Sequence, residues 1–275
     1  MTTIVKKKCP ICNSTANYIF TSKNNKKIFQ CSFLSCGHFF TPMLKADQGI
    51  CMRPDDLEKE SNESLKIFDK RNLKLLKLFK SNFKNQTKQL RFLDFGAGNA
   101  HISRTFKRIL KDKCIIYCLD TNPLVKNFYS KFDLKQIESS SELLDKIDLI
   151  YMIEVIEHLE NPIAVMKTLS RLLDANGQIF ITTPIGKNKE NLTNAFDTAS
   201  HLHFFTQKSL NLTLIKSGFL EIDYKFHPEM HAPSLKSDVI SKNINLLKLF
   251  IKIILSKIAP NKSINHLVGF TKLKD

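Results

Sequence analysis

The sequence predicts an α/β protein with a mainly parallel sheet, preceded by a small metal-binding module. The sheet is predicted by a glycine-containing turn at 94–98, which joins a strand to a helix, and by the alternation of strand-like and helical segments behind it. The module is predicted by two cysteine pairs near the start of the chain. The 275 residues suffice for one α/β domain and a small appendage.

The N-terminal cysteines have the spacing of zinc ligands. Eighteen residues separate two pairs, Cys9 with Cys12 and Cys31 with Cys36. Short strand-like runs and a polar turn at 23–26 lie between the pairs, which is the layout of a zinc ribbon. Because so small a hairpin buries too little core to fold alone, zinc ligation by the four thiolates is predicted to stabilise it. Cys36 is the favoured fourth ligand because Gly37 follows it, and His38 is the alternative.

The other three cysteines have no partner at metal-ligand spacing and are predicted to be small buried side chains: Cys51, Cys114 and Cys118. Seven cysteines cannot all pair in disulfides. Residues 1–8 are polar and basic, without the apolar segment of a signal peptide, and no apolar run reaches membrane-spanning length. A cytoplasmic location with reduced thiols is therefore expected.

The chain is strongly basic, with a formal net charge of +16. Its positive charge comes from 36 Lys and only 6 Arg, whereas Arg predominates where phosphates are bound bidentately. The excess of Lys therefore indicates a compositional bias, and nucleic-acid binding is the less favoured interpretation of the charge.

Residues 45–85 are predicted to form a linker and a basic amphipathic helix. The range 45–62 is polar and rich in helix breakers, and a helix is predicted over about 63–84, with apolar residues on one side and lysines on the other. The lysine side is predicted to be a solvated surface. The predicted organisation is thus a zinc-ribbon-like module at 1–44, this connecting segment, and an α/β domain at 86–275.

The α/β domain is predicted from alternating patterns behind the glycine turn. Strand-like runs occur at 114–120, 135–138, 149–153 and 178–183. A helical pattern at 163–173 precedes Asn176-Gly177, a helix-stop signal. Two further strand-like runs, at 218–226 and 265–273, are predicted to close the sheet as an antiparallel pair. A helix at 240–258, apolar around most of its circumference, is predicted to pack against protein, with weak membrane-surface contact as the alternative.

The glycine turn indicates a cofactor site. It reads Asp94-Phe-Gly96-Ala-Gly98, at the strand-to-helix junction where α/β sheets bind nucleotide-like cofactors. Glycines there allow a ligand to touch the backbone. A dinucleotide site requires a third glycine at the position of His101, so a nicotinamide or flavin cofactor is disfavoured.

Several motifs in order resemble those of class I S-adenosylmethionine-dependent methyltransferases. They are the glycine turn, Asp120 after the second strand, Glu154-Val-Ile-Glu157-His158-Leu-Glu-Asn-Pro162, Thr183-Pro184, His201-Leu-His203-Phe-Phe-Thr206 and Ser217-Gly-Phe219. The N-terminal phrase Cys36-Gly-His-Phe-Phe-Thr-Pro42 is similar to that of a subgroup with a cysteine-pair module. The resemblance implies a Rossmann-like seven-stranded sheet, S-adenosylmethionine as cofactor, and methyl transfer (EC 2.1.1.-).

The resemblance also implies a set of cofactor-binding residues: Asp94, Gly96, Ala97, Gly98, Asp120, Thr121 and Glu154. The two glycines would let the backbone approach the methionine part of the cofactor, and Asp94 would orient the turn near its amino group. Asp120 would accept hydrogen bonds from both ribose hydroxyls. Glu138 or Ser139, at the end of the third strand, would lie near the adenine.

Candidate catalytic residues follow the fourth and fifth strands. Glu154, Glu157 and His158 have i, i+3, i+4 spacing, which predicts one face at the start of a helix, and His201 and His203 follow at the same sheet edge. This set, with His201, resembles the Glu-x-x-Glu-His metal site of ubiquinone-pathway O-methyltransferases and the site of small-RNA 2′-O-methyltransferases. Three interpretations stay open: a Mg²⁺ or Mn²⁺ site, a proton-relay site, and a structural brace of the helix start.

Family association favours O-methylation of a small-molecule or glycan acceptor. One alternative is an RNA methyltransferase that uses the zinc ribbon to hold RNA, which the scarcity of Arg disfavours. A catalytically inactive binding module with the same fold is the other alternative. The intact pair of glycines and Asp120 disfavours it.

Overall fold

The computed structural model describes residues 6–42, 72–73, 75–77, 79, 88–125, 127–186, 196, 200–222 and 266–274. Two sheets are present in these ranges. Cys51, the predicted linker at 45–62 and the predicted helix at 240–258 lie outside the described residues.

The smaller sheet begins with the cysteine-pair module. Its strands are β1 (Lys6–Lys8), β2 (Thr15–Thr21), β3 (Lys27–Cys31) and β4 (Phe39–Phe40). All of the pairs are antiparallel. The predicted hairpin is therefore present. The cysteine pairs meet at its open end, with Cys9 and Cys12 before β2, Cys31 as the last residue of β3 and Cys36 beyond it.

Five parallel strands form most of the larger sheet. They are β5 (Leu90–Phe95), β6 (Cys114–Leu119), β7 (Lys135–Ile137), β8 (Ile147–Ile153) and β9 (Leu173–Pro184). Their spatial order is β9-β8-β5-β6-β7. Successive strands are thus added first on one side of β5 and then on the other, and the glycine turn follows β5. Six consecutive residues of β8 are buried, as expected for a parallel strand covered on both faces. The predicted parallel α/β sheet is confirmed.

Three α-helices have described bounds: α1 (His101–Leu110), α2 (Pro162–Leu172) and α3 (Gln207–Lys216). The Asn161 side chain accepts a hydrogen bond from the Ala164 N–H at 3.0 Å, and Pro162 occupies the first helical turn. The helix predicted at 163–173 is thus confirmed within a residue. Asn176-Gly177 does not cap it, because Gly177 lies in β9, where a Cβ would come 2.8 Å from the Ile147 carbonyl oxygen.

A short strand of the α/β domain joins the smaller sheet. This strand, β10 (His203–Phe204), pairs antiparallel with β4, with His203 opposite Phe40. The Thr41 N–H also donates to the Leu202 carbonyl oxygen at 3.0 Å. The cysteine-pair module therefore shares a sheet with the segment 200–206. The sequence predicted a separate module at 1–44 and no such pairing with the α/β domain.

The larger sheet closes with an antiparallel strand, as predicted. This strand, β11 (His266–Lys272), pairs with β9. On its outer side Phe219 forms an antiparallel bridge with Leu273, and the Leu220 N–H donates to the Lys272 carbonyl oxygen at 2.9 Å. The larger sheet has six strands in the described ranges, one fewer than the resemblance implies, and the predicted run at 218–226 adds only this bridge at its edge. Residues 223–226 lie outside the described residues.

The described residues between 72 and 79 are helical and pack on the sheet. Leu75, Leu76 and Phe79 are buried, as their predicted apolar face requires, whereas Lys77 is exposed. Cys114 and Cys118 are fully buried, also as predicted. None of the helices in the described ranges is long and apolar enough to cross a membrane.

Candidate active site

The glycine turn needs both of its glycines. Gly96 has φ +74° and Gly98 has φ +51°, in the left-handed region that favours glycine. A Cβ on Gly96 would lie 2.5 Å from Cγ2 of Val155. Because Val155 directly follows Glu154, the turn is in contact with the segment that carries the candidate catalytic residues.

Asp94 lies buried at the end of β5, below the glycine turn. The Ser103 hydroxyl donates to Asp94 Oδ2 at 2.6 Å and also contacts the Tyr151 hydroxyl. Burial raises the pKa of Asp94 to about 7, and the hydrogen bond from Ser103 opposes this rise, while the charge of Asp120 adds to it. A cationic group bound beside Asp94 would favour its ionised form.

Replacing Asp94 with Asn is expected to flatten the pH dependence of stability. The pKa of Asp94 rises from 3.8 to about 7 on folding, so the native state holds the proton more tightly than the unfolded chain. The free energy of unfolding therefore falls as pH rises, by about 2–3 kcal/mol between about pH 5 and 7. Urea unfolding of the cofactor-free protein at both pH values measures this loss, which Asp94→Asn should lack. Asp112→Asn, at an exposed site, should behave as wild type, and an equal loss in Asp94→Asn would contradict the raised pKa.

Asp120 fixes the turn through the backbone. Its Oδ2 accepts from the Gly98 N–H at 2.7 Å, and its Oδ1 accepts from the Asn122 N–H at 2.8 Å. Each carboxylate oxygen can accept a further hydrogen bond, so the side chain stays able to bind two hydroxyls. Ala97, which precedes Gly98, is buried, and Thr121, which follows Asp120, is exposed.

The end of β7 lies at the same sheet edge. The backbone N–H groups of Glu138 and Ser139 both donate to Oε1 of Glu142, at 2.8 and 2.7 Å. The side chain of Ser139 in turn caps the short helical turn that follows. Both residues are exposed after β7, next to β6, where the resemblance places the adenine.

The helical face predicted for Glu154, Glu157 and His158 is wrong. Glu154 has φ +55°, a left-handed conformation that turns the chain, and residues 156–158 form a 3₁₀ turn. The Glu154 N–H donates to the Thr182 carbonyl oxygen at 3.0 Å, and its Oε1 accepts from the Thr182 hydroxyl at 2.7 Å. Glu154 is thus held against the end of β9, outside the cluster formed by Glu157 and His158.

Glu157 is a buried carboxylate with one unpartnered oxygen. Its Oε2 accepts from the Thr183 hydroxyl at 2.9 Å, but Oε1 has no hydrogen-bond partner. The Nε2 atoms of His158 and His201 each lie 4.0 Å from Oε1. Burial, with a further contribution from Glu154, raises the pKa of Glu157 well above its usual range.

His158 has a defined orientation. Its Nδ1 lies 3.1 Å from the Ser200 carbonyl oxygen, which can only accept, so Nδ1 carries the proton and Nε2 presents a lone pair. Burial lowers the pKa of His158. Its ring packs edge-on against His201, with 4.7 Å between centroids. Glu157, His158 and His201 each offer a ligand atom within 4.8 Å of the others, and we call them the Glu–His–His cluster.

His203 lies in a different environment from His201. Its Nδ1 is 3.0 Å from Nε2 of His38, and Nδ1 of His38 is 3.2 Å from the Ser209 hydroxyl. Burial lowers the pKa of His203 to about 4. Both ring nitrogens of His38, the alternative zinc ligand, are therefore engaged by the α/β domain.

The four paired cysteines converge, with their sulfur atoms within 4.8 Å of one another. The closest pairs are Cys12 with Cys31, at 3.3 Å, and Cys9 with Cys36, at 3.9 Å. The hydrogen bond from Cys36 lowers the pKa of Cys9 to about 5, whereas burial raises the pKa of Cys31 to about 11. The described cysteines form no disulfides. This tetrad of thiols is what a tetrahedral metal requires.

One buried side chain at the site was missed by sequence reasoning. Lys26 was assigned to a polar turn, but it is only 4% exposed, and its Nζ donates to the His201 carbonyl oxygen at 2.9 Å. A lysine in a polar turn is ordinarily solvated. The sequence around it carries no local signal of burial, because the contact depends on the pairing of β4 with β10.

The chain matches the model of the methyltransferase domain family over residues 67–221, more than half of its length. It is similar to the plantazolicin methyltransferase BamL in complex with a triazolic desmethylPZN analog and SAH (16% identity, 81% of this chain and 89% of that chain, TM-score 0.50). It is also similar to the complex between the Haloferax volcanii Trm112 methyltransferase activator and a methyltransferase (13% identity, 76% and 98%, TM-score 0.50). No curated protein is significantly similar to it.

These structural similarities concern the fold, and the family model covers the range that contains the glycine turn and the Glu–His–His cluster. The parallel α/β sheet described above agrees with this fold. The chain therefore belongs to the methyltransferase domain family, with the fold of the class I S-adenosylmethionine-dependent enzymes.

Proposed function

We propose that this methyltransferase O-methylates a hydroxyl group of a glycan or another small molecule, and that the Glu–His–His cluster activates that hydroxyl. The observation that carries the proposal is the unpartnered Oε1 of Glu157. A buried carboxylate oxygen without a partner is costly, and here it faces the Nε2 atoms of His158 and His201. Such an arrangement is expected where a proton or a metal ion is bound.

The location of the cluster supports the same reaction. Val155 packs against Gly96, so the turn that would hold the cofactor lies beside the segment that carries Glu157 and His158. Methyl transfer is an in-line displacement in which the sulfur–methyl bond breaks as the oxygen–methyl bond forms, so donor and acceptor must be held close together. The proton of the acceptor hydroxyl would pass to Nε2 of His158, which presents a lone pair.

The cluster also fits a divalent ion. One carboxylate and two imidazoles are ligands suited to Mn²⁺, and less so to Mg²⁺, which prefers oxygen ligands. In this alternative, Glu157, His158 and His201 would hold the ion, with Glu154 nearby, and Nε2 of His158 would be a metal ligand and not the proton acceptor. When bound, the ion would lower the pKa of a coordinated hydroxyl.

The cofactor-binding residues proposed for S-adenosylmethionine are those placed around the glycine turn: Asp94, Gly96, Ala97, Gly98, Asp120, Thr121 and Glu154. Their support is the left-handed backbone of the two glycines and the position of Asp120 beside Gly98. NAD is not expected to bind, because His101 occupies the position of the third glycine. The proposed division of the chain stays a module at 1–44, a connection at 45–85 and a catalytic domain at 86–275.

Replacing Asp120 with Ala is expected to weaken S-adenosylmethionine binding by about 1.5–3 kcal/mol, or roughly 10- to 150-fold in Kd. The variant loses the proposed ribose acceptor and also the hydrogen bond that fixes Gly98. Asp120→Asn, which keeps one acceptor oxygen, should lose less. Calorimetric titration measures the affinities, and an unchanged Kd for Asp120→Ala would refute the assignment.

A structural zinc ion is proposed for the cysteine tetrad. Four sulfur atoms within 4.8 Å of one another and the absence of disulfides among the described cysteines support it. Reduced thiols of this kind are characteristic of the cytoplasm, where we propose that the protein acts.

The acceptor is tested by methyl transfer from labelled S-adenosylmethionine to glycan, lipid and RNA fractions of the host. Label in the glycan or small-molecule fraction is expected. Label confined to RNA would favour the RNA methyltransferase alternative, in which the module holds RNA. Cofactor binding without transfer to any fraction would favour an inactive binding module.

A further inference from the structure

We infer that Lys26, a side chain of the cysteine-pair module, is a positioning residue for the Glu–His–His cluster. The inference rests on the proposed function, because it takes this cluster as the reacting site. Through Lys26, the module holds the segment 200–202, which carries His201, and so helps to complete the site.

Lys26 is built into a fixed position. The Ser22 N–H donates to its carbonyl oxygen at 2.9 Å, and its own N–H donates to the Ser22 hydroxyl at 3.2 Å. The side chain is only 4% exposed, and Nζ donates to the His201 carbonyl oxygen at 2.9 Å. Lysine is rarely buried without a specific partner, and a charged donor makes a stronger hydrogen bond than a neutral one.

The segment 200–202 is held from two sides. On the side of the cluster, its carbonyl oxygen at Ser200 accepts from His158 Nδ1, and its N–H at Leu202 donates to the Glu157 carbonyl oxygen at 2.9 Å. On the side of the module, Lys26 donates to the His201 carbonyl oxygen, and Thr41 donates to that of Leu202. The module thus binds His201 and Leu202, in the same short segment that contacts Glu157 and His158.

A second chain of contacts leads from the module to the same region. The hydrogen bond between His38 and His203 joins the residue after Gly37 to β10, immediately beyond the segment 200–202. His203 also lies close to the backbone of Leu159 and Glu160, directly after His158. The cluster is built from two stretches of chain, 157–158 and 200–202, and the module therefore contacts or adjoins both of them.

Other lysines join the module to the α/β domain without reaching the cluster. Nζ of Lys216 donates to the Ile11 carbonyl oxygen at 2.7 Å, at the far end of α3 from the segment 200–206. Lys216→Met therefore removes a contact of the same chemistry between the same two parts. It serves as the matched control for Lys26→Met.

The test compares Lys26→Met, Lys26→Arg and Lys216→Met in the full-length protein, with zinc content reporting an intact module. Hydrogen exchange of the segment 200–206 is expected to become about tenfold faster or more in Lys26→Met, because a charge-assisted bond to its backbone is lost. Lys26→Arg, which keeps a charged donor, should restore most of the protection. Lys216→Met should leave this segment unchanged.

Binding of Mn²⁺ alone provides the second readout, and Lys26→Met should weaken it about tenfold, whereas Lys216→Met should not. Exchange within twofold of wild type in Lys26→Met would overturn the inference, and so would equal loosening by both Met variants, which indicates a general brace. If wild type binds no Mn²⁺, the metal form of the proposed function fails, and the exchange measurement still decides the role of Lys26.

Discussion

His158→Ala is expected to lower the rate of methyl transfer by about 10²-fold or more, while the affinity for S-adenosylmethionine hardly changes. The variant removes the Nε2 atom that lies 4.0 Å from Oε1 of Glu157, on the side where we propose that the acceptor binds. It does not touch the glycine turn or Asp120. The measurement is the initial rate of transfer to the accepting fraction, together with a calorimetric titration of the cofactor.

Two further experiments distinguish a metal-binding role of His158 from a proton-relay role. Glu157→Gln should reproduce most of the loss, whereas Glu160→Gln, at an exposed carboxylate three residues further on, should not. If the cluster holds an ion, a chelator should abolish transfer, and Mn²⁺ should restore it. A proton-relay site would be indifferent to the chelator.

One result for His158→Ala would contradict a catalytic role of His158. Should His158→Ala transfer methyl groups at the wild-type rate but melt at a lower temperature, its hydrogen bond to the Ser200 carbonyl oxygen is a structural brace. The reacting group would then lie elsewhere at the sheet edge.

The α/β fold could be predicted because its signals are local. The apolar runs that became β6, β8 and β9 are bounded by polar or turn residues, and each is buried as its pattern requires. The glycine turn was recognisable because Gly96 needs both a positive φ and the absence of a Cβ. Such requirements appear directly in the residue types.

The internal geometry of the site could not be predicted as well. The spacing of Glu154, Glu157 and His158 fits a helix face, but the left-handed backbone at Glu154 turns the chain first. A positive φ at a glutamate costs energy and leaves no mark in the sequence. This conformation is held by hydrogen bonds that join both the backbone and the side chain of Glu154 to Thr182.

The role of the module in the site could not be predicted at all. The contacts of Lys26 with His201 and of His38 with His203 join residues 175 and 165 positions apart. Periodicity and spacing report on neighbours within a few turns or strands. Contacts of this kind depend on the pairing of β4 with β10, two strands of only two residues each, which are too short to leave a pattern.

Cys12→Ser is expected to abolish the binding of one zinc ion per chain and to unfold the module at residues 6–42. Structural zinc supplies roughly 10–16 kcal/mol of apparent binding free energy to domains of this size, which is comparable to the whole stability of a small domain. Cys114→Ser, a buried cysteine outside the tetrad, should keep its zinc and serves as the matched control. Metal analysis and limited proteolysis of the purified proteins measure both effects.

The pairing of β4 with β10 extends this prediction into the catalytic domain. When the module unfolds, the segment 200–206 loses its strand partner and the bond from Lys26, so Cys12→Ser should also lose methyl transfer. Cofactor affinity should survive, because the described contacts of the glycine turn lie within the α/β domain. Wild-type protein without zinc, or a Cys12→Ser variant whose module resists protease as wild type does, would show that packing against β10 alone holds the module together.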